Sequence, residues 1–389
     1  MAITKLTTEQ INNLVNQAYS DSVGATELTE LDLTKLSDEG TSDVGALRSK
    51  FTGKLLGLVT DNFFTQTSAE AEYDDPFFQN EEEFGAITQM ISATVPEAQA
   101  NPAWQDFVSG TTKVGQYDVY LPTIDTSYYT KQEAWSLPIT ISGEQWNQAF
   151  KDAGGVRRFT DFLRMVVGNG ILKHRENMNE SNRNNYIAQK INAANDQSVT
   201  GVHAINLVEK YATERGLSSF TVAEAMASDD FKSYAMATFG EYAAYMRKQT
   251  GIFTADGSVR FTPSDRLVLQ VLDKFDRECS VTKAGIYHND LIKMPGYKTV
   301  ASWQSMGDLD FTSLSSINVK TSGGVVTQAG IIAVLLDKWS VLHTIKKQRI
   351  GVERFDIEDL TLYSYQFVDS YMNNLNMPGV VFFLSNYSA

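Results

Sequence analysis

Two segments between residues 113 and 141 alternate apolar and other side chains. They are Lys113–Leu121 (KVGQYDVYL) and Ala134–Ile141 (AWSLPITI), and about a dozen polar and tyrosine-rich residues join them. Because alternation with a period of two is typical of strands, we expect a long β-hairpin with an irregular tip. A two-stranded ribbon is only marginally stable in water, so this hairpin must pack on its own chain or on a neighbouring subunit.

The predicted hairpin is rich in side chains that are apolar along most of their length and polar at one end. These side chains are the tyrosines and the tryptophan. Aromatic residues of this kind are enriched in protein interfaces, so the hairpin is the candidate subunit interface. Packing within its own chain is the alternative. The candidate interface residues are Tyr117, Val119, Tyr120, Leu121, Tyr128, Tyr129, Trp135 and Leu137.

Helical spacing of apolar residues predicts two long helical segments. The first is the proline-free stretch from Val156 to Asn192, with Gly168 and Gly170 as possible weak points, and the second runs from Thr221 to Thr250. Asp229 and Asp230 suit the start of a helix within the second segment. Shorter helices are predicted at Thr8–Tyr19, Asp43–Val59 and Glu81–Ile91, the last because its opening glutamates favour a helix N-terminus.

Beyond residue 260 the pattern changes to strands that alternate with short helices. Bounded apolar runs such as IIAVLL and VVFFL indicate strands buried on both faces. The remaining strand candidates are Arg266–Leu272, Tyr297–Trp303 and Leu360–Val368, and a helix is predicted at Asp273–Cys279. The sequence therefore predicts an α+β body after a more extended N-terminal third.

Charge narrows the function classes. The chain has 389 residues and a net charge of -14. This charge argues against a dedicated DNA-binding protein, because binding to DNA phosphates needs a basic face. Residues 55–112 contain ten acids and neither Lys nor Arg, so they hold -10 of the -14 and leave -4 elsewhere. This acidic segment is either a solvated face or a docking surface for a basic partner.

Little in the sequence indicates catalysis. The four histidines form no HExxH pair, there is no phosphate-binding glycine loop, and Cys279 is best explained as a buried structural thiol. The basic residues around His343, Lys347 and Arg349 are expected in a solvated loop. We therefore predict no enzyme activity, no metal and no cofactor.

The chain has no signal-peptide pattern at its N-terminus and no apolar run long enough to span a membrane. A single cysteine excludes an intramolecular disulfide. These features predict a protein that folds in the cytoplasm and has no membrane partner.

The C-terminal segments AVLLDKWSVLHTI (Ala333–Ile345), LTLYSYQF and VVFFL, together with the order of predicted elements, carry a resemblance to a known family. The chain resembles the major capsid proteins of tailed bacteriophages, which share the Hong Kong 97 fold, and is nearest to those of small short-tailed phages related to phi29. The resemblance implies a virion protein that self-assembles into the icosahedral head around double-stranded DNA.

The same resemblance implies a division of the chain. Residues 1–101 would be an N-terminal arm and its lead-in, 102–141 the extended β-hairpin loop, and 142–200 a peripheral domain with the spine helix. Residues 201–346 would form the axial domain and 347–389 would return to the peripheral domain. Implied partners are further copies in pentamers and hexamers, a portal, a possible separate scaffolding protein, and DNA through weak non-specific contact.

Two other readings stay open at this point. An encapsulin-type compartment shell shares the implied fold and would enclose protein cargo instead of DNA. A soluble hydrolase or binding protein with an unrecognised site is the alternative from a different class.

Overall fold

A computed structural model describes residues 78–81, 88–93, 124–129, 133–143, 153–281, 291, 294, 296–304, 307–321, 323–355 and 360–388. The strands are β1 (Phe78–Glu81), β2 (Thr88–Ala93), β3 (Ile124–Tyr129), β4 (Glu133–Ser142), β5 (Ala204–Asn206), β6 (Ser219–Phe220), β7 (Leu267–Leu272), β8 (Gly296–Val300), β9 (Ile317–Thr321), β10 (Gly324–Gln328), β11 (Ile331–Asp337), β12 (Val341–Phe355), β13 (Leu360–Asn373), β14 (Gly379–Phe383) and β15 (Tyr387–Ser388). The α-helices are α1 (Ala153–Asn195), α2 (Leu207–Arg215), α3 (Val222–Ala227), α4 (Asp229–Met246), α5 (Asp273–Val281) and α6 (Phe311–Leu314).

The long helix α1 is continuous over 43 residues, which confirms the helix predicted at Val156–Asn192. The absence of proline lets the backbone hydrogen bonds run through the whole stretch. Gly170 does not interrupt the helix. A Cβ atom there would lie 3.0 Å from Leu137 Cδ2, so the glycine allows β4 to approach the helix closely.

A four-stranded sheet has the order β1, β12, β13, β4. β13 is antiparallel to both of its neighbours, and β1 lies parallel to β12 over four residues. Tyr363, Tyr365 and Phe367 alternate along β13 and are buried. Because alternate residues of a strand share a face, these rings form one apolar surface, and Arg175 of α1 lies over Phe367 on that side.

A five-stranded sheet has the order β5, β14, β11, β7, β8 and holds most of the core. Every residue of β7 and β11 is buried, as the continuous apolar runs predicted. α4 packs on this sheet, with the Phe239 ring 4.9 Å from that of Phe382 on β14. The predicted strands at Ile331–Leu336, Val380–Leu384 and Arg266–Leu272 are thereby confirmed.

The helical segment predicted at Thr221–Thr250 is confirmed as two helices with a break at Ser228. Thr221 and Glu224 form a capping box at the start of α3. Ser228 Oγ accepts a hydrogen bond from the Phe231 N–H at 3.2 Å and caps α4. Asp229 and Asp230 occupy the first turn of α4, as their sequence position predicted.

The prediction of a helix at Glu81–Ile91 is wrong. Glu81 ends β1, and Thr88–Ala93 is a strand that pairs antiparallel with β3. Pairing with a distant partner therefore overrides the local preference of the glutamates for a helix start. The helices predicted at Thr8–Tyr19 and Asp43–Val59 lie outside the described residues.

The second strand of the predicted hairpin is confirmed as a strand. Ala134–Ile141 lies within β4, but the described partner of β4 is β13 and not a strand that directly precedes it in the chain. Lys113–Leu121 lies outside the described residues. The expected irregular tip contains β3, whose partner is β2. The sequence did not indicate these partners because pairing between distant strands leaves no local pattern.

The basic residues near His343 do not form a solvated loop, which corrects that prediction. They lie in β12, a strand of 15 residues, and His343 is only 3% exposed. β12 also crosses the boundary predicted between 346 and 347. The predicted C-terminal segment 347–389 divides between both sheets, because β13 joins the four-stranded sheet and β14 joins the five-stranded sheet.

Candidate functional site

The structure separates the eight candidate interface residues into three groups. Tyr117, Val119, Tyr120 and Leu121 lie outside the described residues. Tyr128 and Tyr129 are on β3, opposite Gln89 and Thr88 of β2. Trp135 and Leu137 are on β4, opposite Phe367 and Tyr365 of β13.

Trp135 packs within its own chain. Its ring stacks on Phe367 with centroids 4.1 Å apart, and the centroid of the His174 ring of α1 also lies 4.1 Å away. The indole Nε1–H donates to Asp369 Oδ2 at 2.9 Å. The residue is partly exposed. Its described contacts therefore correspond to the intrachain alternative that the sequence left open.

Asp369 is the centre of a buried polar group between the four-stranded sheet and α1. Its carboxylate is fully buried, and Arg175 Nε and His343 Nε2 each lie 3.7 Å from Oδ2. Burial raises the pKa of Asp369, but the neighbouring His343, Arg175 and Trp135 outweigh burial and hold this pKa below its ordinary value. The His343 ring also stacks on Tyr371, with centroids 4.6 Å apart. This arrangement keeps the carboxylate ionised and holds the sheet against the helix.

Three connections join the two sheets, and we call the place where they meet the junction. They are residues 196–203 between α1 and β5, Lys338–Ser340 between β11 and β12, and residues 374–378 between β13 and β14. The Asn374 N–H donates to the Ser340 carbonyl at 2.8 Å, and the Asp337 N–H donates to the Pro378 carbonyl at 3.1 Å. The second and third connections are therefore bonded directly to each other.

Lys190 reaches the junction from α1. Its Nζ donates to the carbonyls of Phe253 at 3.0 Å, Leu375 at 3.1 Å and Met377 at 3.3 Å. The residue is fully buried, and burial lowers the pKa of its amine to about 7 despite the negative charge of Asp256. Nothing in the sequence distinguished this lysine from a surface lysine on a long helix.

Other polar side chains of α1 bind backbone on either side of the junction. Asn182 Nδ2 donates at 3.3 Å to the carbonyls of Leu342 and Met372, which face each other on β12 and β13. Arg183 and Asn184 both donate to the Trp303 carbonyl, in the part of the chain that follows β8. One helix thus contacts the backbone of both halves of the molecule.

Tyr186 packs against Gly379 at the junction. A Cβ atom added to Gly379 would lie 2.1 Å from the Tyr186 hydroxyl oxygen, far inside contact distance. Tyr186 is completely buried, and burial raises its pKa. Glycine is therefore required at 379 by the tyrosine that packs on it.

A salt bridge with an aromatic neighbour lies at the second connection. Arg266 Nη2 donates to the buried Asp337 carboxylate at 2.8 Å, and its guanidinium lies 4.0 Å from the Trp339 ring centroid. Burial raises the pKa of Asp337, although Arg266 and the Trp339 N–H oppose the shift. These contacts fix the turn that leads from β11 into β12.

Two kinds of reactive group bear on catalysis in the described parts of the chain, the single cysteine and clusters of metal ligands. The thiol of Cys279 is buried, and burial raises its pKa to about 12, so it is not a nucleophile near neutral pH. Among the described residues, no group of three or more His, Cys, Asp or Glu side chains is placed to hold a metal ion. Within the same residues, no helix combines the length and apolar character needed to cross a membrane.

The described surface exposes several large apolar side chains. Two are on α1, two are on the distal part of β12, and three are on the loop that follows α4. Those on α1 are Met165 and Val166, and those on β12 are Val352 and Phe355. Those on the loop are Ile252, Val259 and Phe261. Exposed apolar side chains are common singly, but when they share a face they indicate contact with another molecule.

Comparison with known proteins gives a family and a fold. A family model described as the Phi29-like phage major capsid protein matches residues 9–383. The capsid structure of Staphylococcus phage Andhra is similar with a TM-score of 0.55 at 9% sequence identity, over 81% of this chain and 84% of that chain. At this identity the likeness shows the fold alone. No curated protein matches the sequence.

Two further solved structures match with lower TM-scores. The capsid structure of cyanophage P-SCSP1u matches with a TM-score of 0.46 at 11% identity, over 81% of this chain and 88% of that chain. A chain from the structure of the head fiber and inner core protein gp22 of native bacteriophage P68 matches with a TM-score of 0.49 at 10% identity, over 80% of this chain and 84% of that chain.

Proposed function

The chain belongs to the family of Phi29-like phage major capsid proteins, which form the shell of the phage head, and on that basis we propose how its parts build an icosahedral head around double-stranded DNA. It is a structural, non-enzymatic component of the virion, and its α+β fold is that of phage capsids of the Hong Kong 97 type. The observation that carries this conclusion is the family match across residues 9–383.

We assign the described elements to the regions of such a subunit as follows. α1 is the spine helix, and together with the four-stranded sheet it forms the peripheral domain. The five-stranded sheet with α2, α3, α4 and α5 forms the axial domain. The sheet order supports this division, although it moves β14 and β15 into the axial domain and β4 into the peripheral domain. Residues 1–101 are proposed as the arm and its lead-in, and the residues before β4 as the extended loop.

The proposed interface includes the candidate aromatic residues that precede β4, namely Tyr117, Tyr120, Tyr128 and Tyr129 with Val119 and Leu121. Leu137 and Trp135 contribute by holding the base of the extended loop against α1. The exposed apolar side chains of α1 and β12 support a second contact region on the peripheral domain. Many modest contacts of this kind close a shell cooperatively.

The proposed partners are further copies in pentamers and hexamers, a portal, a separate scaffolding protein and the packaged DNA. The net charge of -14 supports weak and non-specific contact with DNA, because packaged DNA has to slide during filling. Assembly is proposed to take place in the host cytoplasm.

Electron microscopy of the protein, expressed alone and with the other head proteins of its phage, tests this function. We expect hexamers, pentamers or closed shells, and particles formed with the packaging machinery should contain DNA. Particles filled with protein cargo would instead indicate an encapsulin-type compartment. A monomer or small oligomer under all assembly conditions would refute the proposal.

A further inference from the structure

The relative orientation of the two sheets depends on a small region. Only three connections cross between the sheets within the described residues, and they meet at the junction. The first is tied to the loop after α4, because the Val202 N–H donates to the Ile252 carbonyl at 2.8 Å. The second and third are bonded to each other through Asn374 and Ser340. A change at the junction would therefore rotate one sheet relative to the other.

Lys190 is placed to prevent that rotation. Its three acceptors come from two separate places, the loop after α4 at Phe253 and the third connection at Leu375 and Met377. In its protonated form the amine has three hydrogens to donate and no acceptor, so three carbonyls match the full capacity of the ammonium group. Since Lys190 itself belongs to α1, one side chain joins the spine helix, the axial loop and the third connection.

The charge of Lys190 is satisfied almost wholly by backbone. Within the described residues it forms no ion pair, and Asp256 and His203 interact with it through space. Tyr186 adds its ring face, with the centroid 5.6 Å from Nζ. Burial of a cation is costly, and an apolar side chain of similar length often gives equal or greater stability at a buried charged position. Packing alone therefore does not account for a lysine here.

We propose that Lys190 is a positioning residue that fixes the angle between the two sheets of the subunit and thereby sets the curvature of the shell. Curvature depends on this angle because the peripheral and axial domains make contacts with different neighbours. Asn182 supports the same angle from the peripheral side by binding both β12 and β13. This inference rests on the proposed function, since curvature has meaning only for a protein that builds a shell.

The test compares Lys190→Met with a destabilised control. Methionine keeps an unbranched apolar stem but lacks the terminal amine, so it removes all three donors. Ile171→Ala is the control, because Ile171 is fully buried in the same helix but 19 residues away from Lys190, which is about 28 Å along the axis. Urea denaturation of unassembled subunits first measures the stability of both variants, so that an effect on shell geometry can be separated from a loss of stability.

Shell geometry is then measured by electron microscopy. For Lys190→Met we expect the spread of particle diameters to at least double relative to the unsubstituted protein, with open or aberrant particles in the majority. Ile171→Ala should give shells of unchanged diameter in lower yield. If Lys190→Met also gives shells of unchanged diameter, the residue contributes only stability and the inference is wrong. If the unsubstituted protein forms no shell, the proposed function fails instead.

A second measurement does not need assembly. Spin labels at exposed positions on each side of the junction, Glu209→Cys on α2 and Arg349→Cys on β12 in a Cys279→Ser background, report the distance between the two halves. Lys190→Gln, which keeps two donors on a shorter side chain, serves if Lys190→Met does not fold. We expect the distance distribution to widen about twofold in the Lys190 variant and to stay unchanged in Ile171→Ala. An unchanged distribution in the Lys190 variant would overturn the inference.

Discussion

Substitution of Trp135 tests whether this residue stabilises its own subunit or the contact between subunits. The sequence alone favoured the interface, whereas in the structure the indole contacts the rings of Phe367 and His174, and its N–H donates to Asp369. Trp135→Phe removes the hydrogen bond and keeps an aromatic ring. A hydrogen bond to a charged group contributes roughly 1.5–3 kcal/mol, and here its loss leaves a buried carboxylate with one donor fewer.

Trp135→Ala removes the ring contacts as well. Truncation of a fully buried aromatic residue costs about 3–5 kcal/mol, and the partial exposure of Trp135 places the expected loss toward the lower end. We therefore expect the free energy of unfolding of the unassembled subunit to fall by about 2 kcal/mol for Trp135→Phe and about 3 kcal/mol for Trp135→Ala.

Urea denaturation followed by circular dichroism measures these losses, and electron microscopy measures shell yield in parallel. Ser136→Ala is the matched control, because this neighbour on β4 is exposed and its substitution should change stability by less than about 0.5 kcal/mol. If Trp135→Phe left the unfolding midpoint unchanged and abolished shells, the intrachain argument would be refuted and the residue would belong to the interface.

Three further predictions rest on single contacts. Gly379→Ala should lower subunit stability by about 3 kcal/mol or prevent folding, because its methyl group would overlap the buried Tyr186 hydroxyl; a stable variant in urea denaturation would contradict this. Ser228→Ala should lower the free energy of unfolding by about 1 kcal/mol, because α4 loses its N-terminal cap. Urea denaturation measures this loss, and the control Ser228→Asp should retain most of the stability. Cys279 should react with a maleimide at pH 8 many times more slowly in the native subunit than after unfolding. Only the thiolate reacts, and burial raises the pKa of the Cys279 thiol to about 12. Equal rates in the two states would contradict the buried position.

Elements with a strong local pattern were predictable from the sequence. The apolar runs of β11 and β14 and the proline-free stretch of α1 could be assigned because burial on both faces and helical periodicity are visible within a few residues. Glu81–Ile91 was assigned wrongly because its glutamates favour a helix locally, while its strands depend on β12 and β3 elsewhere in the chain.

The polar groups that hold the fold together were not predictable. Lys190 and Asp369 look like ordinary surface residues in the sequence. The carbonyl of Phe253, which binds Lys190, is 63 residues away, and Trp135, which donates to Asp369, is 234 residues away. The basic stretch in β12 was assigned to a solvated loop because charge usually indicates exposure, although this strand buries His343. A charged residue can be predicted to be buried only when the groups that neutralise or bind its charge are known.

The four-stranded sheet also affects the order in which the chain folds during its synthesis. Trp135 on β4 and Asp369 on β13 are 234 residues apart in sequence, so β4 has no described partner until nearly the whole chain has left the ribosome. Domains formed from such distant segments fold late and slowly, because a long loop must close before any contact is gained. A nascent chain therefore lacks the finished four-stranded sheet until its synthesis is almost complete.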